Sequence, residues 1–259
     1  MIEFVDVTHH YGARAVLHNV CLRVSRGQLV ALMGPNGMGK STLLGVAAGL
    51  LSPINGHVEI NGIRRRSSVE NEQVIRQQIA YLPDHPWLPK YLCGREFLYG
   101  VGRLYDIETT RLSEHIDRLL HLFELDAKGD SPINAYSNGQ QKKIAICATL
   151  VAEAPVLLLD EPFTGGLDPS GILSLRRVLE SLSEREDVTV LMATQVPELA
   201  EKLADRVAVL RAGELIAVDS PEALRKLTGC DGTLGDVLEQ LIHPETSRRI
   251  DQYFHKGAT

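Results

Sequence analysis

Two short runs hold most of the chemistry available to this sequence. Residues 34–41 read Gly-Pro-Asn-Gly-Met-Gly-Lys-Ser and fit the spacing G-x-x-x-x-G-K-S/T. Glycines at these places let the backbone wrap closely enough for consecutive N–H groups to point at phosphate oxygens. A helix starting here adds the positive end of its dipole to the same anion. Lys40 is then expected on the β- and γ-phosphates and Ser41 on Mg²⁺. The candidate nucleotide-binding set on this loop is Gly34, Asn36, Gly37, Gly39, Lys40, Ser41 and Thr42. The second run is Val156-Leu-Leu-Leu-Asp160-Glu161. An apolar strand there delivers carboxylates at its C-terminal end, where open α/β sheets collect ligands. Asp160 suits a second metal-holding group, and Glu161 suits a group that orients or deprotonates an attacking water.

The elements that must position these runs are readable from periodicity. Residues 28–33 and 156–159 are apolar runs of strand length, as in a parallel sheet buried on both faces. Residues 42–50 predict a helix stopped by Pro53, Asn55 and Gly56. Strands are expected at 2–8, 15–24, 79–82 and 188–192, with hairpins around Asn61-Gly62 and Ala212-Gly213. Between about 84 and 150 helical spacing takes over: Phe97, Val101 and Leu104 share one face, and Ile116, Leu119, Leu120 and Phe123 another. A helix is expected at 173–182. Past Pro221, Leu234, Val237, Leu238, Leu241 and Ile242 line one helical face, which suits core or dimer packing better than a regulator site.

Composition narrows the classes. Lys and Arg number 27 against 33 Asp and Glu, a formal net charge of −6 with no basic block, which argues against nucleic acid as a partner. Cys21, Cys93, Cys147 and Cys230 form no C-x-x-C pair, which argues against a zinc site or a disulfide framework and fits a reducing compartment. The first residues alternate like a strand and lack a basic-then-apolar leader. No run of 18 apolar residues occurs, so the chain is not expected to span a bilayer by itself.

Two further stretches complete a pattern. Tyr136-Ser-Asn-Gly-Gln140 ends 20 residues before Asp160, and Gly166-Leu-Asp-Pro169 follows it. With the runs above, these resemble the signature motif and D-loop of ABC-type ATPases, and Tyr11 resembles that family's adenine-stacking aromatic. The resemblance spans residues 2 to about 220. It implies an α/β P-loop NTPase fold with a mostly parallel central sheet, an N-terminal antiparallel β part and a helical subdomain inserted at about 85–150. Residues 1–220 would form the ATP-binding domain and 221–259 a C-terminal helical extension. It implies ATP and Mg²⁺, and a second ATP-binding subunit, identical or different, docked head to tail. Ser137, Gly139 and Gln140 of one subunit would then reach the ATP on the other's phosphate loop. Tyr81-Leu-Pro-Asp84 and Arg95-Glu-Phe-Leu resemble the branch that serves ABC-2-type exporters.

Three positions depart from the family pattern. Asp84 replaces the Q-loop glutamine, Asn138 a signature glycine, and Gln195 the switch histidine. Asp84 can still ligate Mg²⁺ through oxygen, but it is shorter and adds negative charge. Asn tolerates left-handed backbone, so Asn138 is expected to be neutral. Gln195 can hydrogen-bond a phosphate yet never carries an imidazolium's charge. Asp84, Glu161 and Gln195 are therefore the candidate catalytic residues, Ser41, Asp160 and Asp84 the candidate metal ligands, and slowed hydrolysis rather than lost binding is the expectation.

Other features read more plainly. His9 and His10 are adjacent on a strand and point to opposite faces, unsuited to one metal ion. Arg64-Arg-Arg66 is expected to be a solvated loop, an anionic-lipid contact being the alternative. Pro86, Trp87, Leu88 and Pro89, apolar or rigid, are expected to meet a partner. The resemblance makes that partner a separate transmembrane permease subunit. The expected function is the ATP-hydrolysing subunit of a membrane transporter, peripheral on the cytoplasmic face. The alternative is a nucleotide-gated clamp with weak or partner-dependent hydrolysis. A non-transport ABC ATPase of translation or DNA repair is disfavoured, since those carry two cassettes or a long coiled-coil insertion.

Overall fold

The computed structural model describes residues 1–242 and Tyr253. The chain opens as a hairpin of β1 (Ile2–Tyr11) and β2 (Arg14–Val24). β3 (Leu29–Met33) follows and runs through the glycine-rich loop into α1 (Lys40–Ala48). β4 (Asn55–Ile60) and β5 (Ile63–Arg64) make a second hairpin. Its turn has positive φ at both Asn61 (50°) and Gly62 (80°), the backbone that a tight two-residue turn requires. Next come α2 (Val69–Gln78), β6 (Ile79–Leu82), α3 (Gly94–Leu104), α4 (Thr109–Leu122) and α5 (Asn138–Val151). The rest alternates: β7 (Val156–Asp160), α6 (Pro169–Ser183), β8 (Thr189–Ala193), α7 (Pro197–Leu203), β9 (Arg206–Arg211), β10 (Glu214–Asp219), α8 (Pro221–Thr228) and α9 (Leu234–Ile242).

Two sheets result. The first is antiparallel, in the order β2-β1-β4-β5, and the second runs β10-β9-β3-β8-β7-β6. Within the second, β9, β3, β8, β7 and β6 are mutually parallel and only β10 turns back. Side chains alternate across a strand, and here both faces are covered. Leu29, Ala31 and Met33 of β3 enter one apolar cluster with α3 to α7 and α9; Val30 and Leu32 enter the other with α1 and the antiparallel sheet. That is why residues 29–33 are apolar without a break. Helix α1, held between the sheets, buries Thr42, Leu43, Leu44, Gly45, Val46 and Ala47, so it has no polar face.

Several expectations need correction. Helix α2 was not anticipated, because its sequence buries only Ile75 and so lacks an apolar stripe. The available signal was local: Ser68 caps it by accepting from the Asn71 N–H at 3.1 Å, with Glu70 and Glu72 in the first turn. Leu104 does not share the buried face of Phe97 and Val101; it ends α3 with 75% of its surface exposed. Within Arg64–Arg66, Arg64 ends β5 and is exposed like Arg66, so only the middle residue departs from a solvated stretch. Arg65 is buried, donating from Nε to the Ala47 carbonyl at 2.6 Å and from Nη1 to Glu72 at 3.0 Å, which pins the hairpin to α1 and α2. In the tail, Leu234, Val237 and Leu238 are buried in the same cluster as the helical layer. From residue 243 onward the expected extension lies outside the described residues, Tyr253 aside.

Candidate functional site

The site is assembled by register. Leu32 of β3 and Asp160 of β7 both stand opposite Ala193 of β8, and Leu82 of β6 stands opposite Leu159. Four neighbouring parallel strands therefore end at one level. The residues that follow, 34–41, Asp84, Glu161 and Gln195, emerge together at the carboxyl edge of the sheet. Tyr11 and Arg14 reach the same place from the turn of the first hairpin. Tyr11, Arg14, Asn36, Gly37, Gly39, Lys40, Ser41, Asp84, Glu161 and Gln195, with Val16 and Thr42, line a cleft of about 350 Å³; Gly34, Pro35, Met38 and Asp160 do not.

Within the loop, Gly37 (φ 75°) and Gly39 (φ 103°) hold left-handed backbone. A Cβ on Gly39 would lie 2.8 Å from the Leu17 side chain and 2.9 Å from the Val16 carbonyl, so the loop packs on β2 without room for any side chain. Gly34 is needed for a different contact: a Cβ there would fall 2.1 Å from the Leu210 carbonyl oxygen of β9. Lys40 is buried, and its Nζ donates to the carbonyls of Gly34 at 2.7 Å and Pro35 at 3.2 Å. Burial lowers its pKa, and the carboxylates of Glu161 and Asp160 partly restore it.

Asp160 and Glu161 are both buried, at 2% and 6% exposure. Burial raises the Asp160 pKa; a hydrogen bond with Ser41 opposes that, Asp84 and Glu161 add to it, and Lys40 opposes it. Glu161 has φ 46°, rare for a residue with a Cβ, and its N–H donates to the Ala193 carbonyl at 2.9 Å. The Gln195 amide donates from Nε2 to Glu161 Oε1 at 3.0 Å. Two carboxylate oxygens, Asp160 Oδ1 and Glu161 Oε2, are buried with no partner. Leaving such an oxygen unpaired costs about 1–3 kcal/mol, and more when it is charged. A hard cation or an ordered water is the chemistry that answers it, so Asp160, its neighbour Ser41 and Glu161 fit a magnesium ion and a water.

Other expected residues stand apart from this cleft. Ser137, Gly139 and Gln140 sit at the start of α5 and do not line it. Ser137 caps that helix reciprocally with Gln140: its hydroxyl accepts from the Gln140 N–H at 3.3 Å, and Gln140 Oε1 accepts from the Ser137 N–H at 3.0 Å. Gly139 presses on the D-loop, where a Cβ would lie 2.4 Å from the Gly166 carbonyl oxygen. Asn138 is the first residue of α5 and has no positive φ, so its fit does not rest on left-handed tolerance. Asp168 caps α6 and pairs with Lys143 at 2.9 Å.

Sequence reading missed three members of the neighbourhood, Val16 on β2 and two charged residues. Arg14 lines the cleft, and the only signal was its place three residues after Tyr11 on the hairpin return. Lys142 is buried at 2% exposure and donates from Nζ to the Asp84 carbonyl at 3.2 Å. Of the expected partner-facing residues, Trp87 is 87% exposed, but Leu88 is buried in the core and offers nothing to a partner.

Comparison with known proteins gives consistent neighbours. The family model described as "ABC transporter" matches residues 17–164. The daunorubicin resistance ATP-binding protein DrrA3 of Streptomyces coeruleorubidus is 38% identical over 221 residues, 85% of this chain and 68% of that protein. The Nod factor export ATP-binding protein I of Sinorhizobium fredii is 32% identical over 231 residues, 89% of this chain and 66% of that protein. This chain thus spans about two-thirds of the length of both. Among solved structures, an ATP-binding subunit of an ABC transporter superposes with a TM-score of 0.86 at 30% identity, covering 93% of this chain and 99% of the other. A dimeric ATP-binding cassette in a post-hydrolysis state with ADP and Pi gives a TM-score of 0.76 at 26% identity, covering 85% and 98%.

Proposed function

The chain belongs to the ABC transporter family of ATP-binding proteins, and from that membership we propose that it is the ATP-hydrolysing subunit of an exporter. Its membrane-spanning part would be a separate permease. Among the described residues no helix is long and apolar enough to cross a membrane. The two relatives named for drug resistance and for export support the direction of transport. In this reading the subunit works on the cytoplasmic face.

One observation carries the proposal: the phosphate loop, Glu161 and Gln195 line a single cleft, and Glu161 and its buried neighbour Asp160 each hold one unpartnered carboxylate oxygen. The N–H groups of residues 34–41 and the Lys40 ammonium would bind the phosphates, and Tyr11 would stack on the base. Ser41 and Asp160, with Asp84 at the rim, would hold Mg²⁺. That ion supplies charge neutralisation on the phosphate oxygens. Glu161 would orient the attacking water and accept its proton, while the Gln195 amide fixes the Glu161 carboxylate in place. Ser137, Gly139 and Gln140, exposed or half-buried away from this cleft, would complete the equivalent site of a second subunit. That arrangement accounts for a well-capped helix start that no residue of its own cleft uses.

A second reading is a nucleotide-gated clamp that closes on ATP and turns over slowly. The neutral Gln195 and the acidic Asp84 favour it. Two measurements test the proposal. Lys40→Ala should weaken binding of a fluorescent ATP analogue by about tenfold or more, since it removes the fixed charge aimed at the phosphates. Phosphate release by the parent protein separates the enzyme from the slow clamp. Unchanged affinity in Lys40→Ala would show that the cleft is not the nucleotide site.

A further inference from the structure

We infer that Lys142 is a positioning residue of this site: a buried cation that offsets the negative charge Asp84 brings to the cleft and joins helix α5 to it. The inference rests on the reading that the cleft takes ATP.

Lysine is almost never fully buried unless something holds its charge. Lys142, one turn into α5, is 2% exposed. Its Nζ donates to the Asp84 backbone carbonyl across 58 residues of chain. It makes no direct ion pair among the described residues. The carboxylates whose fields it feels are Asp84 and Glu161, which line the cleft, and the buried Asp160. Burial pulls its pKa down, and those three acids push it back up. The stem passes beneath the D-loop, where a Cβ on Gly165 would lie 3.4 Å from Lys142 Cδ. The next lysine behaves differently: Lys143 pairs with Asp168 at 2.9 Å and with Glu124 at 3.8 Å, away from the cleft.

Without a bound metal, a polyanion approaching here meets the field of three carboxylates, and Lys40 is the other buried cation that feels Asp160 and Glu161. Arg14 stands exposed at the mouth. His85 Nε2 lies 3.7 Å from Asp84 Oδ2, but His85 is almost fully in solvent, where its influence is screened. Lys142 is the buried cation that remains. Because it is carried on the helix that begins with Ser137, its bond to the Asp84 carbonyl also ties the signature end of α5 to the strand end that follows β6.

The test is a charge cycle read by nucleotide binding in EDTA, not by turnover, so that any share Asp84 takes in holding Mg²⁺ stays out of the reading. Lys142→Gln keeps an N–H donor for the Asp84 carbonyl and removes the charge. It should bind a fluorescent ATP analogue about tenfold more weakly than the parent, and Lys142→Arg should stay within about threefold. Adding Asp84→Asn to Lys142→Gln should bring affinity back to within about threefold of the parent. Parent-like affinity in Lys142→Gln overturns the inference. So does a deficit that persists undiminished with Asp84→Asn, which would mark Lys142 as structural only. If Lys142→Gln does not fold, Asp84→Asn alone decides: it removes the first of the three acids that Lys142 offsets, so affinity in EDTA should rise several-fold, and no change overturns the inference. The reading of the cleft fails separately, if the parent does not bind the analogue or Lys40→Ala binds it equally well.

Discussion

Glu161 is held by its own backbone and by one neighbour. Its N–H is tied to Ala193, its φ is 46°, and its Oε1 accepts from Gln195. A non-glycine residue in left-handed backbone stores about 1–3 kcal/mol of strain, and such strain collects where a side chain must be aimed. Here the aim leaves Oε2 free and buried in the cleft. Gln195 therefore bears on the Glu161 carboxylate directly. An amide donates a hydrogen bond but cannot take up or share a proton, whereas an imidazole can. Gln195→His is expected to raise single-turnover hydrolysis of pre-bound ATP by about tenfold or more, with nucleotide affinity nearly unchanged. A slower Gln195→His would show that the amide bond to Glu161 outweighs the missing charge.

At the scale of elements, the start of α5 and the D-loop behave as one contact. Gly139 has no room for a methyl, since its Cβ would meet the Gly166 carbonyl at 2.4 Å. Gly139→Ala should push the two apart and destabilise the protein by about 1–3 kcal/mol, read from urea unfolding without nucleotide. Gly100, inside α3, is the counter-case, for a Cβ there meets nothing within 4 Å. Gly100→Ala should stabilise by about 0.5–1 kcal/mol, because alanine costs less backbone entropy in a helix. Equal effects from the two substitutions would mean that the Gly139–Gly166 approach is not a real constraint. The same logic explains Arg65. A buried guanidinium that holds a carbonyl of α1 and a carboxylate of α2 fixes a hairpin whose second strand has only two residues.

Among the described residues, two surfaces bear on partners. One carries the cleft and the α5 start, where a second ATP-binding subunit would meet it. Glu161→Gln should keep ATP binding while stopping its consumption, so ATP then holds the closed dimer by mass action. Gel filtration with Mg-ATP should show a dimer for Glu161→Gln and mostly monomer for the parent; a monomer in both would count against head-to-tail closure. The other surface follows β6, where Trp87 and Tyr91 are 87% and 90% exposed and Leu92 is partly so. Large aromatics left in water at one place suit a partner surface. Trp87 is the single tryptophan, so its emission reports this site directly. Iodide should quench it in the free protein, and binding of the membrane subunit should protect it; quenching that persists in the complex would move the docking surface elsewhere.

The sequence by itself determined what depends on neighbours along the chain. Residues 28–33 and 156–159 read as doubly buried strands because they are largely apolar without alternation, and apart from the half-buried Gln28, which precedes β3, they are. The loop of 34–41 was legible because glycine, lysine and serine at that spacing have few other uses after such a strand. The Asn61-Gly62 turn was legible because positive φ selects those residues. Tertiary structure alone decided which strands stand side by side. Side-chain periodicity tells whether a strand is buried on one face or two, but not which strand is next to it. The order β9-β3-β8-β7-β6 is not the order of the chain, and the register at Ala193 sets the level at which Asp160 and the phosphate loop emerge. Arg14, Lys142 and the buried Arg65 were illegible for that reason. Local pattern assigns all three to solvent; Arg14 is indeed exposed, but beside the phosphate loop, while Lys142 and Arg65 are buried against Asp84 and Ala47, segments distant in sequence.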